Sequence, residues 1–156
     1  METLVQHWSG VDKAVDAVMM FDVLYHLERA DRKALFQKLF TQYLTPNGVV
    51  IIITRSYAHD YGFVRLMERL GKPAQVYYEE AAKEMLQAGF RLAYKQDIEG
   101  AEDLLNPGED LVKYIQLLTD NEATVQEVRT AIDDVYGSVP SHIYKKMAIF
   151  KKQPKK

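Results

Sequence analysis

The chain has 156 residues, enough for one compact domain with a core of its own, and its net charge of -2 speaks against a nucleic-acid partner held by bulk charge. Hydrophobic residues at 47% and charged residues at 27% are those of a globular protein, and the lack of cysteine excludes a disulfide framework and a thiolate zinc site. No apolar run approaches the roughly 20 residues of a membrane span, and Met1–Trp8 has no basic stretch ahead of an apolar core, so a cytoplasmic address is expected, with no membrane partner.

Val15–Phe21 is apolar except for Asp16, which predicts a strand buried on both faces. A polar turn follows, and Asp31 is placed to N-cap a helix over about Arg32–Leu44. Its apolar face is Leu35, Phe36, Leu39, Phe40 and Tyr43. Thr45-Pro46-Asn47-Gly48 reads as a turn, and Val49–Ile53 is the β-branched run of a central strand in a parallel sheet. Strand, helix and strand in that order predict a right-handed crossover.

A second helix is expected from about Asp60, burying Phe63, Val64, Met67 and Leu70 and ending at Gly71. A third runs from about Glu79 to Ala88 and stops at Gly89. Arg91–Ile98 alternates as a strand, and Glu99–Glu109 is a loop rich in glycine, proline and acid. Asp110 caps a helix to Leu118, and Asn121 caps another to Tyr136, ending at Gly137. His142–Lys151 is a last strand interrupted by Lys145-Lys146, and residues 151–156 form a flexible basic tail. With no repeat and no linker, residues 1–156 read as a single α/β domain.

The pattern of a strand, the turn Phe21-Asp22-Val23-Leu24-Tyr25-His26-Leu27, a helix, Leu44-Thr45-Pro46-Asn47-Gly48 and a hydrophobic strand resembles strands four and five of the class I S-adenosylmethionine (SAM) methyltransferases. Ala88-Gly89-Phe90 ahead of the next strand is similar to the entry to strand six in that superfamily. Within it, the chain resembles the histamine N-methyltransferase family. The likeness there lies in the Leu24-Tyr25-His26 turn, the Gly62–Gly71 helix, the acidic insertion after strand six and the Asp110–Thr119 helix. The resemblance covers nearly everything from about Ala14 onward. It implies a partial Rossmann-like methyltransferase sheet, strands four to seven with flanking helices, whose glycine-rich N-terminal half is absent.

SAM needs a glycine-rich turn after strand one and an acid at the end of strand two. The glycines here include no pair separated by a single residue, and none follows a strand ahead of Val15–Phe21. A methyltransferase-like protein that is inactive alone is the expectation, with SAM the cofactor of the complete family fold. In that family the residue at Phe21 lies by the methionine part of SAM, and the next one, a glutamine there, holds the substrate ring. Here it is Asp22, which suits a small cationic amine or a base. Tyr25, His26, Phe63 and Met67 fall on the family's substrate-facing aromatic positions.

Each of these residues also has a plainer reading. Asp22 can cap the turn, His26 can be structural, and Phe63 and Met67 lie at core spacing on a helix. His59-Asp60 reads as a loop and helix cap, and the acids between Glu99 and Asp110 lack EF-hand spacing. A second functional class is a non-catalytic interaction module. With strand one absent, Val15–Phe21 becomes an edge, open to a second copy or to a separate N-terminal half.

Overall fold

The computed structural model describes residues 13–56, 61–72, 77–102, 109–119, 121–137 and 141–152. Strand β1 (Val15–Phe21) and strand β2 (Leu44–Arg55) run parallel, joined by helix α1 (Arg29–Lys38) and a π-helical turn, Leu39–Tyr43. The parallel strand–helix–strand order is as expected, with two local differences. Helix α1 begins at Arg29 after Glu28, so Asp31 is not its cap but stands in the first turn, where a carboxylate favours the helix dipole. The expected turn lies within the bounds of β2 as a bulge. Val15 pairs with Leu44 and Ala17 with Val49, so residues 45–48 loop out of register. Gly48 permits that loop, since a Cβ there would lie 3.0 Å from the Leu44 side chain. The bulge is tied to β1 by the Thr45 hydroxyl, which donates to Asp16 Oδ1 at 2.8 Å.

Among the described residues the sheet has the order β1-β2-β4-β3, where β3 is Phe90–Glu102 and β4 is Ser141–Lys152. Strand β4 runs antiparallel to β2, with Lys151 opposite Val49 and Lys145 opposite Arg55. Lys151 and Lys152, expected in the tail, therefore belong to β4, because the ladder with β2 continues to them. The remaining tail residues, 153–156, lie outside the described residues, as do His59, Asp60 and positions 103–108 of the acidic loop. Residues 99–102 of that expected loop continue β3.

The described residues gather into two compact units. The sheet unit holds β1, α1, β2, helix α3 (Tyr78–Gln87), β3 to Ile98 and β4 from Lys145. Val50 and Ile52 of β2, with Ala148 and Phe150 of β4, face Phe36 and Leu39 from α1 and its π turn and Ala81 and Met85 of α3 in one apolar core. Arg32 of α1 lies within this layer at 2% exposure. Its guanidinium grips Glu84 of α3 with two bonds, at 2.6 and 2.9 Å, and donates to the Leu27 carbonyl at 3.1 Å.

The helical unit contains helices α2 (Tyr61–Arg69), α4 (Glu109–Leu118) and α5 (Val125–Tyr136). Phe63, Leu66 and Met67 pack with Val112, Ile115, Val128 and Ile132. Gly62 lets α2 approach Tyr136 closely, for a Cβ there would stand 2.6 Å from the ring. Helix α5 is capped by Thr124, not by Asn121. The Thr124 hydroxyl accepts from the Glu127 N–H while the Glu127 carboxylate accepts from the Thr124 N–H, a reciprocal box that Asn121 has no partner to form. Asn121 instead takes a left-handed turn conformation at φ +59°.

Candidate functional site

Ligands of open α/β sheets sit beyond the carboxyl ends of parallel strands. In this chain that place is where β1 and β2 end. Phe21 closes β1, and Asp22 turns the chain with a left-handed φ of +47° while its N–H donates to the Ile53 carbonyl at 2.9 Å. A single 3-10 turn, Leu24–His26, follows, pinned by the buried side chains of Leu24 and Leu27. Tyr25 is half-buried and His26 exposed, their ring centroids 4.2 Å apart. The turn thus brings together four of the residues singled out from sequence: Phe21, Asp22, Tyr25 and His26.

Phe63 and Met67 have a different placement. Both are buried in the apolar core of the helical unit, where their packing partners are Ile115, Val128 and Ile132.

A residue the sequence reading left aside completes the turn. Lys145 of β4 forms an ion pair with Asp22 Oδ2, and its ammonium lies 4.8 Å from the centroid of the Phe21 ring. The two charged side chains are about four-fifths buried, at 22% and 18% exposure. The signal was the lysine pair inside an apolar strand. Neighbouring residues of a strand point to opposite faces. Lys145 goes to Asp22, and Lys146 goes to Asp97 at 3.3 Å and the Tyr78 ring at 5.4 Å. Burial first, then the charges of Glu79 and Asp97, raise the pKa of the Tyr78 phenol. At the end of β2 the buried Ser56 hydroxyl donates to Glu79 Oε1 at 2.6 Å, a further pair absent from the sequence reading.

The described residues do not by themselves fit SAM. Gly48, Gly62 and Gly89 are occupied by close packing against Leu44, Tyr136 and Phe40, and Gly71 and Gly137 take positive φ where helices end. None of these lies in a strand-to-helix turn that could offer backbone N–H groups to a nucleotide. Among the described residues no group of three histidine or acidic side chains is placed to hold a metal ion. No helix there is long and apolar enough to cross a membrane. A cavity of about 320 Å³ in the helical unit is lined by Arg69, Glu122 and Glu127 among others. Their charges are already engaged: Arg69 with Asp134 at 3.1 Å, Glu122 with Lys72 at 2.8 Å, and Glu127 in the α5 cap.

No family model and no curated protein matches the sequence. Solved structures do match the fold. A candidate methyltransferase of Bacillus halodurans superposes with a TM-score of 0.65 at 13% identity, covering 96% of this chain and 69% of that one. A SAM-dependent methyltransferase from Archaeoglobus fulgidus gives 0.57 at 15% identity, over 97% and 66%. The N-methyltransferase NodS from Bradyrhizobium japonicum, solved with S-adenosylhomocysteine, gives 0.54 at 12% identity, over 97% and 53%. The chain therefore spans between about half and just over two thirds of these structures' lengths. What the likeness establishes is architecture: the chain has the Rossmann-like α/β fold of the class I SAM-dependent methyltransferases.

Proposed function

We propose that the chain is the substrate-facing part of a SAM-dependent methyltransferase-like protein, of small-molecule N-methyltransferase ancestry similar to the histamine type. On this reading β1, β2, β3 and β4 correspond to strands four, five, six and seven, and the location is cytoplasmic. The observation that carries it is the turn at the carboxyl end of β1, where an aromatic ring and a carboxylate together hold an ammonium group. That pairing is the chemistry that recognises a small cationic amine. Lys145 supplies the ammonium from within the chain, so an external amine would have to displace it from Asp22.

The proposal includes inactivity of the chain alone. The described residues offer the site's aromatic and acidic wall but no cradle for the cofactor, and methyl transfer depends chiefly on aligning donor and acceptor. The complement would join at β1, as a second copy or as a separate N-terminal half. The same edge supports the second reading, an interaction module, because Met19 and Phe21 are 65% and 54% exposed beside it. Calorimetric titration of SAM into the purified chain, with a methyl-transfer assay on a panel of small amines, tests the proposal. The expected result is no saturable binding and no turnover. Turnover at an ordinary enzymatic rate overturns the claim of inactivity, and SAM binding without turnover overturns the claim that the cradle is missing.

A further inference from the structure

A second concavity lies in the sheet unit at the opposite end of β2 from the Asp22 turn. It has about 320 Å³ and is lined by Pro46, Asn47, Arg91, Lys151 and Lys152. Three of the five are cations and none is an acid. The cations come from the start of β3 and the end of β4, and the β2 bulge supplies Pro46 and Asn47. Lys151 stands opposite Val49 and Lys152 follows it beside the bulge, while β3 neighbours β4 on its other side. Lys152 is held in place, donating to the Leu44 carbonyl with its ammonium 5.8 Å from the Phe40 ring centroid. Partial burial lowers its pKa. The Asp16 carboxylate, which accepts from the Thr45 hydroxyl, is not among the lining residues.

Arg91 and Lys151 are exposed and line the cavity with no acid among its lining residues, and an anion offsets their like charge. We propose that this cavity is an anion site for a small phosphorylated compound, separate from the Asp22 turn. A phosphate monoester or diphosphate offsets more positive charge than a single carboxylate does. The guanidinium of Arg91 suits two phosphate oxygens at once, and the lysines act as point charges. The cavity is of a size that takes small organic ligands, and the Pro46 ring and lysine stems give such a group an apolar wall.

The test is an amide NMR titration of the full chain with inorganic pyrophosphate, with malonate as a dicarboxylate control, on the wild type and on Arg91→Gln and Lys151→Gln. Both replaced side chains are exposed, so the fold is expected to hold, and the amide spectrum itself reports that. The expected result is saturable shifts at 47, 91, 151 and 152, an affinity lower by about tenfold in each variant, and a weaker response to malonate. Absence of saturation, equal affinity in wild type and both variants, or malonate binding as well as pyrophosphate overturns the proposal. Flotation with phosphatidate-containing vesicles then separates the two sources of the same chemistry. Binding to the vesicles assigns the site to a lipid headgroup, and pyrophosphate binding without it assigns the site to a free metabolite.

Discussion

Lys145 holds the Asp22 carboxylate and caps the Phe21 ring, so the acid that ends β1 is neutralised by a residue 123 positions later. Because both side chains are largely buried, the pair is a coupled unit rather than a surface ion pair. Asp22→Asn keeps a side chain that tolerates the left-handed backbone, and Lys145→Met keeps the apolar stem over Phe21. A double-mutant cycle in urea is expected to give a coupling of about 1–2 kcal/mol, with the double variant more stable than the sum of the single losses implies. Strictly additive losses would show that the two residues act independently.

Arg32 and Glu84 form the stronger version of the same relationship. Their bidentate contact joins α1 to α3 inside the sheet unit, and neither group reaches water. Arg32→Met leaves the buried Glu84 carboxylate with only the exposed Arg29, at 3.6 Å, and is expected to cost about 3 kcal/mol in equilibrium unfolding. Replacing both, as Arg32→Met with Glu84→Leu, is expected to recover most of that loss. A single variant within about 0.5 kcal/mol of the wild type would mean that the carboxylate relaxes to solvent.

The order of strands and helices was legible because it rests on local signals. The β-branched run from Val49 to Ile53 could only be a buried strand, and Gly71, Gly89 and Gly137 stand at helix ends with positive φ. Where two local signals competed, the sequence still held the answer. Asn121 and Thr124 both suit a cap, but only Thr124 has a glutamate three residues on. The site was less legible. The Phe21–His26 turn is a contiguous segment that a local pattern can mark, whereas the partners of Asp22 and Arg32 lie 123 and 52 positions away. Nothing local names such a partner. Phe63 and Met67 show the converse: helical spacing marks an apolar face without saying what covers it, and here it is Ile115, Val128 and Ile132.

The cap of α5 makes stability depend on pH in a defined direction. Glu127 has its pKa lowered below the usual 4.5, first by the Thr124 N–H and then by the Thr124 hydroxyl. A carboxylate lowered in the folded state stabilises above its unfolded pKa, and that contribution is lost as pH falls through the folded value. The wild type is therefore expected to lose stability on acidification below about pH 4.5 more steeply than Glu127→Gln. Thr124→Ala, which removes the hydroxyl of the cap, is expected to cost about 1 kcal/mol at neutral pH. Parallel acid profiles for wild type and Glu127→Gln, measured by circular dichroism, would remove the cap from the account.

The edge at β1 leads to the last prediction. Its partner on one side is β2, and in the sheet order of the described residues it has no strand on the other. Its face carrying Val18 and Met20 packs toward the core, while Met19 and Phe21 point away at 65% and 54% exposure. Natural edges are blunted by charge, proline or a bulge, and the bulge here falls at the start of β1, leaving Ala17–Phe21 in regular register. An open ladder beside exposed apolar side chains favours strand addition. The wild-type chain is expected to associate at micromolar concentration in sedimentation velocity, and Met19→Lys is expected to shift it toward monomer without changing the circular dichroism spectrum. Amide exchange decides where the contact lies: association through β1 protects the outward N–H groups of Ala17–Phe21 in the wild type and not in the variant. A monomer at all concentrations, or association unmoved by Met19→Lys, would place the contact elsewhere and remove the edge as the docking surface.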